Sequence, residues 1–160
     1  MKSIRMRAVY IIAAFALAFS LLTGCNKKEV VSTVDFEALA TQKGYIVQDG
    51  TDYFASYDYV KLATLAAPQD KSFQIEFYEL NDEAVAMSFY DTNKNNFIMM
   101  KSSNADEVTK NGKNFDLYQL EMYGRFMMIE RVDNTVIYVN STEASNRTVI
   151  ESFLKELKYL

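Results

Sequence analysis

Two dipeptides in the C-terminal half constrain this chain more than any other feature. Tyr123-Gly124 and Asp133-Asn134 each separate two runs rich in apolar, β-branched and aromatic residues. Gly, Asn and Asp tolerate the positive φ that a two-residue hairpin turn requires. Residues 115–122, 125–132 and 135–139 therefore read as three consecutive antiparallel strands. A meander of this kind exposes an apolar face that other elements must cover.

The rest of the chain supplies them. Ser32 or Thr33 caps a first helix through Gln42, with Phe36, Leu39 and Ala40 on one face and Gly44 as its stop. Residues 45–47 read as a short strand and 49–59 as an irregular Asp- and Tyr-rich piece. Residues 60–67 form a strand, 68–71 a turn, and 73–77 a strictly alternating strand with one buried and one wet face. Asn81-Asp82-Glu83 opens a helix that buries Ala86, Phe89, Tyr90 and Phe97 and ends near Phe97. Residues 102–114 are polar, contain Asn-Gly, and read as a mobile loop. Asn140 and Glu143 have the spacing of a capping box. Ile150, Phe153, Leu154 and Leu157 then mark an amphipathic C-terminal helix. The expected fold is α+β: a single antiparallel sheet of five to six strands with helices packed on one face. Its expected order is α-β-β-β-α-β-β-β-α, preceded by a signal helix.

The N-terminus has a different character. Lys2, Arg5 and Arg7 precede an almost wholly apolar run from Ala8 to Leu22, about 15 residues long. That is the layout of a secretory signal, and it is short of the roughly 20 residues needed to span a bilayer as a helix. The run ends in Leu22-Thr23-Gly24-Cys25, which closely resembles the lipobox of bacterial lipoproteins; Thr23 replaces the commoner Ala or Ser. The resemblance covers residues 1–25. It implies cleavage after Gly24, transfer of a diacylglyceryl group to the Cys25 thiol, and a place on the extracytoplasmic face of a bacterial membrane. Its implied partner is membrane lipid, held through acylated Cys25. The division then reads as a cleaved signal peptide over 1–24, a polar tether over 25–32 and one α+β domain over 33–160. The element pattern of that domain loosely resembles small uncharacterised lipoproteins of Gram-positive gut bacteria.

Cys25 is the chain's one cysteine, so no disulfide forms within the chain and stability has to come from packing. The 17 basic residues face 21 acidic ones; loss of the first 24 residues leaves 14 against 21, a net charge of about −7. Such a surface disfavours nucleic acid and broad adhesion to anionic lipid. There is no His, the commonest general base and metal ligand, and no Trp.

The candidate chemistry is correspondingly thin. Asp49, Asp52 and Asp58 are oxygen ligands in search of a geometry: Lys61 falls near where a calcium loop needs its bidentate Glu. Turn-capping acids explain them better. Met99, Met100, Met122, Met127 and Met128 suit Cu(I) by ligand type, but adjacent strand residues point to opposite faces and core filling is the simpler reading. No nucleophile–His pair and no glycine-rich phosphate loop exists, and no pair of carboxylates stands in a glycosidase-like setting. An enzyme is not expected, nor a cofactor or a metal. Two sequons, at Asn140 and Asn146, read as polar residues flanking a helix. The expected function is a non-catalytic envelope lipoprotein that contacts another envelope protein close to the membrane. The alternative is a module that binds a glycan, peptide or amine through Asp49, Asp52, Tyr53, Tyr57, Asp58 and Tyr59, where aromatic rings and carboxylates alternate.

Overall fold

The computed structural model describes residues 27–160. The expected signal helix, the lipobox and Cys25 lie outside the described residues. Seven strands form one sheet: β1 (Ile46–Asp49), β2 (Val60–Ala67), β3 (Ile75–Leu80), β4 (Asp106–Asn111), β5 (Phe115–Met122), β6 (Arg125–Val132) and β7 (Thr135–Ser141). Three helices accompany them: α1 (Thr33–Gln42), α2 (Glu83–Met100) and α3 (Arg147–Glu156). The sheet order is β1-β2-β3-β7-β6-β5-β4 and every pairing is antiparallel. The fold is thus α+β on one antiparallel sheet.

The meander forms as its turns dictate. Tyr123 and Gly124 sit at φ 50° and 73°, and Asp133 at 49°, in the left-handed region that suits a tight hairpin. Ser32 caps α1 by accepting from Asp35 N–H, and Asp82 caps α2 by accepting from Val85 N–H. Gly44, at φ 74°, ends α1 and lets Tyr45 N–H reach the Ala40 carbonyl.

Four expectations need correction. The sheet has seven strands, not five to six, because residues 106–111 are strand β4 and not loop. β4 pairs with β5 over its whole length, from Asp106↔Glu121 to Asn111↔Asp116. Its sequence, Asp-Glu-Val-Thr-Lys-Asn, shows no apolar alternation because neither face is buried. Charged, short and at the edge, it is a strand that resists further pairing. The element order therefore carries one more strand after α2. Second, α2 continues one turn past Phe97 to Met100, and β3 runs over 75–80 rather than 73–77. Third, the Asn140–Glu143 box does not form. β7 extends through Ser141, Asn140 accepts from Arg125, and a 3-10 turn (Ala144–Asn146) precedes α3.

The fourth correction is the largest: helices cover both faces, not one. On the first face α1 and α3 bury Phe36, Ala40, Ile150, Phe153 and Leu154 against Phe77, Phe126, Met128 and Ile137. On the second, α2 buries Ala86, Tyr90 and Phe97 against Tyr118, Met127, Ile129 and Val136. Met127 and Met128 thus enter opposite cores, and both are fully buried.

The segment expected to be a tether is docked at two points, Lys28 and Val31, with its other described residues exposed. Val31 is buried in the first core. Lys28 exchanges backbone hydrogen bonds with the Asn114 side chain, 2.9 Å each way. Its ammonium donates to the Glu130 carboxylate and the Tyr159 carbonyl, and lies 4.5 Å from the Phe115 ring centre. Tyr159 is itself fully buried, with its hydroxyl 2.8 Å from that of Thr135. The two ends of the described chain meet on one buried carboxylate.

Burial pushes the Glu130 carboxyl up to about 7 from an ordinary 4.5, with Lys28 opposing the rise. The folded state then holds a proton that the unfolded chain has released between about pH 4.5 and pH 7. This contribution is fully present below that window, is lost as pH rises through it, and is level above. Denaturant titrations at pH 5 and pH 8 are expected to show Glu130→Gln gaining stability relative to the native chain as pH rises. Lys28→Ala, which strips the buried carboxylate of its cation, is expected to cost about 3 kcal/mol at pH 8.

Candidate functional site

The irregular segment between β1 and β2 is built by local hydrogen bonding. Asp49 accepts from Thr51 N–H at 2.8 Å, an Asx turn that starts the 3-10 turn Thr51–Phe54. That hydrogen bonding to Thr51 holds the Asp49 carboxyl below its ordinary value. Gly50 is buried here, where a Cβ would come within 3.1 Å of the Leu65 side chain. Thr51 Oγ1 then accepts from Ala63 N–H, tying the turn to β2. At the far end Asn81 donates to the Asp58 carbonyl from its side chain and to the Tyr59 carbonyl from its backbone.

The six residues singled out in this segment do not form one site. Asp49 serves the turn. Asp52 and Asp58 are exposed, and among the described residues no group of three or more acidic or Cys side chains gathers as a metal site. Tyr53 is 67% exposed and its hydroxyl accepts from Gln48 at 3.1 Å, away from the core. Tyr57 stacks at a tilt between Phe54 and Tyr59, at 6.3 and 5.6 Å. Tyr59 alone lines a concave space.

That space lies on the second face of the sheet. α2 covers the β6 and β7 side, while the 3-10 turn covers β2. β3 lies between them, with Tyr78 buried and Glu76 only half-covered. Phe54 comes down from the turn to meet Tyr78 edge-on at 5.3 Å, and Phe89 comes across from α2 to the same ring at 5.0 Å. The result is two adjacent hollows, the lobes of one uncovered strip, that share Phe89 and Asn93 in their linings. The inner lobe, about 290 Å³, has Glu76, Tyr78 and Tyr138 as its floor and Phe54 as its far wall. The outer lobe, about 340 Å³, runs along α2 past Val85, Ser88 and Thr92 to Tyr59. Residues 85, 88, 89, 92 and 93 follow the i, i+3, i+4 rhythm of one helix face.

The floor is polar and ordered. Glu76 and Tyr138 are directly opposed on β3 and β7. Glu76 accepts from the Tyr78 hydroxyl and, at 2.9 Å, from the Gln74 amide. Burial, reinforced by the neighbouring carboxylate, drives the Tyr78 hydroxyl far above its ordinary pKa; Tyr138 is raised by burial as well. Both stay neutral donors at any physiological pH. Asn93, which lines both lobes, donates from its side-chain amide to the Phe89 carbonyl at 2.9 Å.

Sequence reasoning found Tyr59 but missed Phe54's role, Glu76, Tyr78, Phe89, Asn93 and Tyr138 as a group. Ala86, Tyr90 and Phe97 are buried as expected, while Phe89, expected beside them, is only half-buried at the margin of that core. The alternating strand 73–77 did show Glu76 on a wet face, which was the available signal. The chain matches no protein family, and neither curated proteins nor solved structures give a significant match.

Phe89→Ala removes a half-buried ring from both lobes and is expected to cost about 2 kcal/mol in urea unfolding. Tyr53→Ala, at an exposed ring, should stay within about 0.5 kcal/mol of the native chain.

Proposed function

We propose that this chain is a bacterial envelope lipoprotein, anchored through Cys25, whose domain binds a small ligand without catalysing a reaction. The observation that carries the binding reading is the groove between the 3-10 turn and α2, with ordered polar groups beneath aromatic walls. Sites that hold small molecules share this plan: concave, mostly apolar, with few well-placed polar groups. The groove lies beside the Asp/Tyr segment, so it favours the ligand-binding alternative over protein contact alone.

The anchor reading rests on the basic start, the apolar run and Leu22-Thr23-Gly24-Cys25. No described helix is long and apolar enough to cross a membrane. Docking of Lys28 shortens the free link. Three residues allow at most about 10 Å between the Cα atoms of Cys25 and Lys28. An acylated Cys25 would then hold the Asn114 and Asp133 end of the sheet next to the bilayer. Segment 50–59 closes the same end, because β1 finishes and β2 begins there.

A second reading, docking of another envelope protein, draws on the opposite end. There Met99 is 77% and Tyr123 81% exposed, with Ile98 and Met100 nearby in sequence and also exposed. Adaptable Met side chains and an exposed aromatic suit protein contact.

Cys25→Ala is expected to move the protein out of the membrane fraction or to leave it unprocessed at Gly24. A native protein whose mass carries no acyl chain would remove the anchor. For the groove, a ligand held at a hundred times its Kd should stabilise the fold by about 2.7 kcal/mol in a thermal-shift series. Glycans, peptides and amines that all leave Tm unchanged would remove the binding reading.

A further inference from the structure

We propose that the groove takes an organic ammonium group, seated between the Glu76 carboxylate and the rings of Phe54, Tyr78, Phe89 and Tyr138. This rests on the reading of the groove as the binding site and names the class of its ligand.

Glu76 is the sole charged side chain among the residues that line either lobe. Among the described residues no salt bridge reaches it, whereas the buried Glu130 has Lys28 and the half-buried Asp116 has Arg131. Its oxygens are fixed by Tyr78 and Gln74, which spend only part of their accepting capacity. A part-buried carboxylate held in place with no cation is a site for one. The surroundings choose the kind of cation. Aromatic faces attract organic ammonium groups through their quadrupoles, and an aromatic cage desolvates such a group at little cost. A small metal ion wants several oxygens at short range, and Glu76 offers the only carboxylate in the lining. An anionic ligand meets Glu76 and a surface already in acid excess. The inner lobe has room for an ammonium head, and the outer lobe continues along α2 with alternating apolar and hydroxyl side chains for a short tail.

Isothermal titration of the purified full-length chain tests this with choline and with 3,3-dimethylbutan-1-ol, its uncharged carbon isostere. Choline is expected to bind about tenfold or more tightly than the alcohol. Glu76→Gln keeps an acceptor for Tyr78 and is expected to remove most of that preference while leaving the alcohol's affinity unchanged. Phe54→Leu, which leaves Glu76 untouched, is expected to weaken choline about fivefold or more through the lost ring; it stands in if Glu76→Gln fails to fold by circular dichroism. Equal affinity for choline and the alcohol, or a preference that survives Glu76→Gln, overturns the ammonium inference while the groove remains a binding site. Binding of N-acetylglucosamine with none of choline overturns it in favour of a sugar. Failure of choline, pentylamine, the alcohol and the sugar alike overturns the groove reading itself.

Discussion

Two adjacent charges on an interior strand set the terms for everything around them. Glu130 and Arg131 are both buried, and as neighbours on β6 they point to opposite faces of the sheet. Each needs a partner on its own side, since an uncompensated charge in the interior costs several kcal/mol. Arg131 finds Asp116 from β5, at 2.7 Å, and Glu83 from the first turn of α2, at 3.2 Å. Among the described residues Glu130 forms no ion pair on the sheet, where Lys110 of β4 acts on it only from a distance. Its cation comes from Lys28, brought in by the strap that precedes α1.

The consequence reaches both ends of the chain. Lys28 also takes the Tyr159 carbonyl, and Tyr159 reaches that place only because Lys158 adopts φ 61° after α3. A left-handed Lys is unfavourable, and it is tolerated here because it turns a large ring into the core. The packed structure therefore includes Lys28, ahead of the start of α1. Composition suggested the opposite, because Asn-Lys-Lys-Glu reads as solvated linker. A lysine whose role is to neutralise a carboxylate a hundred residues later leaves no local trace.

The same logic explains which parts of the fold could be read in advance. Hairpin turns and helix caps are local, and Tyr123-Gly124, Asp133-Asn134, Ser32 and Asp82 behave as their chemistry dictates. β2 and β5–β7 carry enough apolar residues to announce themselves. β4 does not, because an edge strand with both faces wet has no hydrophobic pattern. The second helical layer was legible yet unread: Phe126 to Ile129 and Val136 to Val139 are almost unbroken apolar runs, the mark of strands buried on both sides. Of the groove, the Tyr-rich segment gave one wall. The floor joins β3 to β7, strands about 60 residues apart whose pairing no local signal encodes.

Helical cover on both faces also accounts for the groove. A single helix, α2, shields the second face and lies over β6 and β7, where Met127, Ile129, Arg131 and Val136 are. β3 is reached only in part, through rings such as Phe89 on Tyr78, and β1 and β2 lie further out. The chain closes that side with one 3-10 turn, which is too short to meet the helix. Glu76 therefore stands where cover is incomplete, whereas Glu130, two strands away on β6, lies on the opposite, sealed face. One carboxylate received a cation from the chain and became part of the core. The other kept its hydrogen bonds to Tyr78 and Gln74 and its aromatic surroundings, with no ion pair among the described residues.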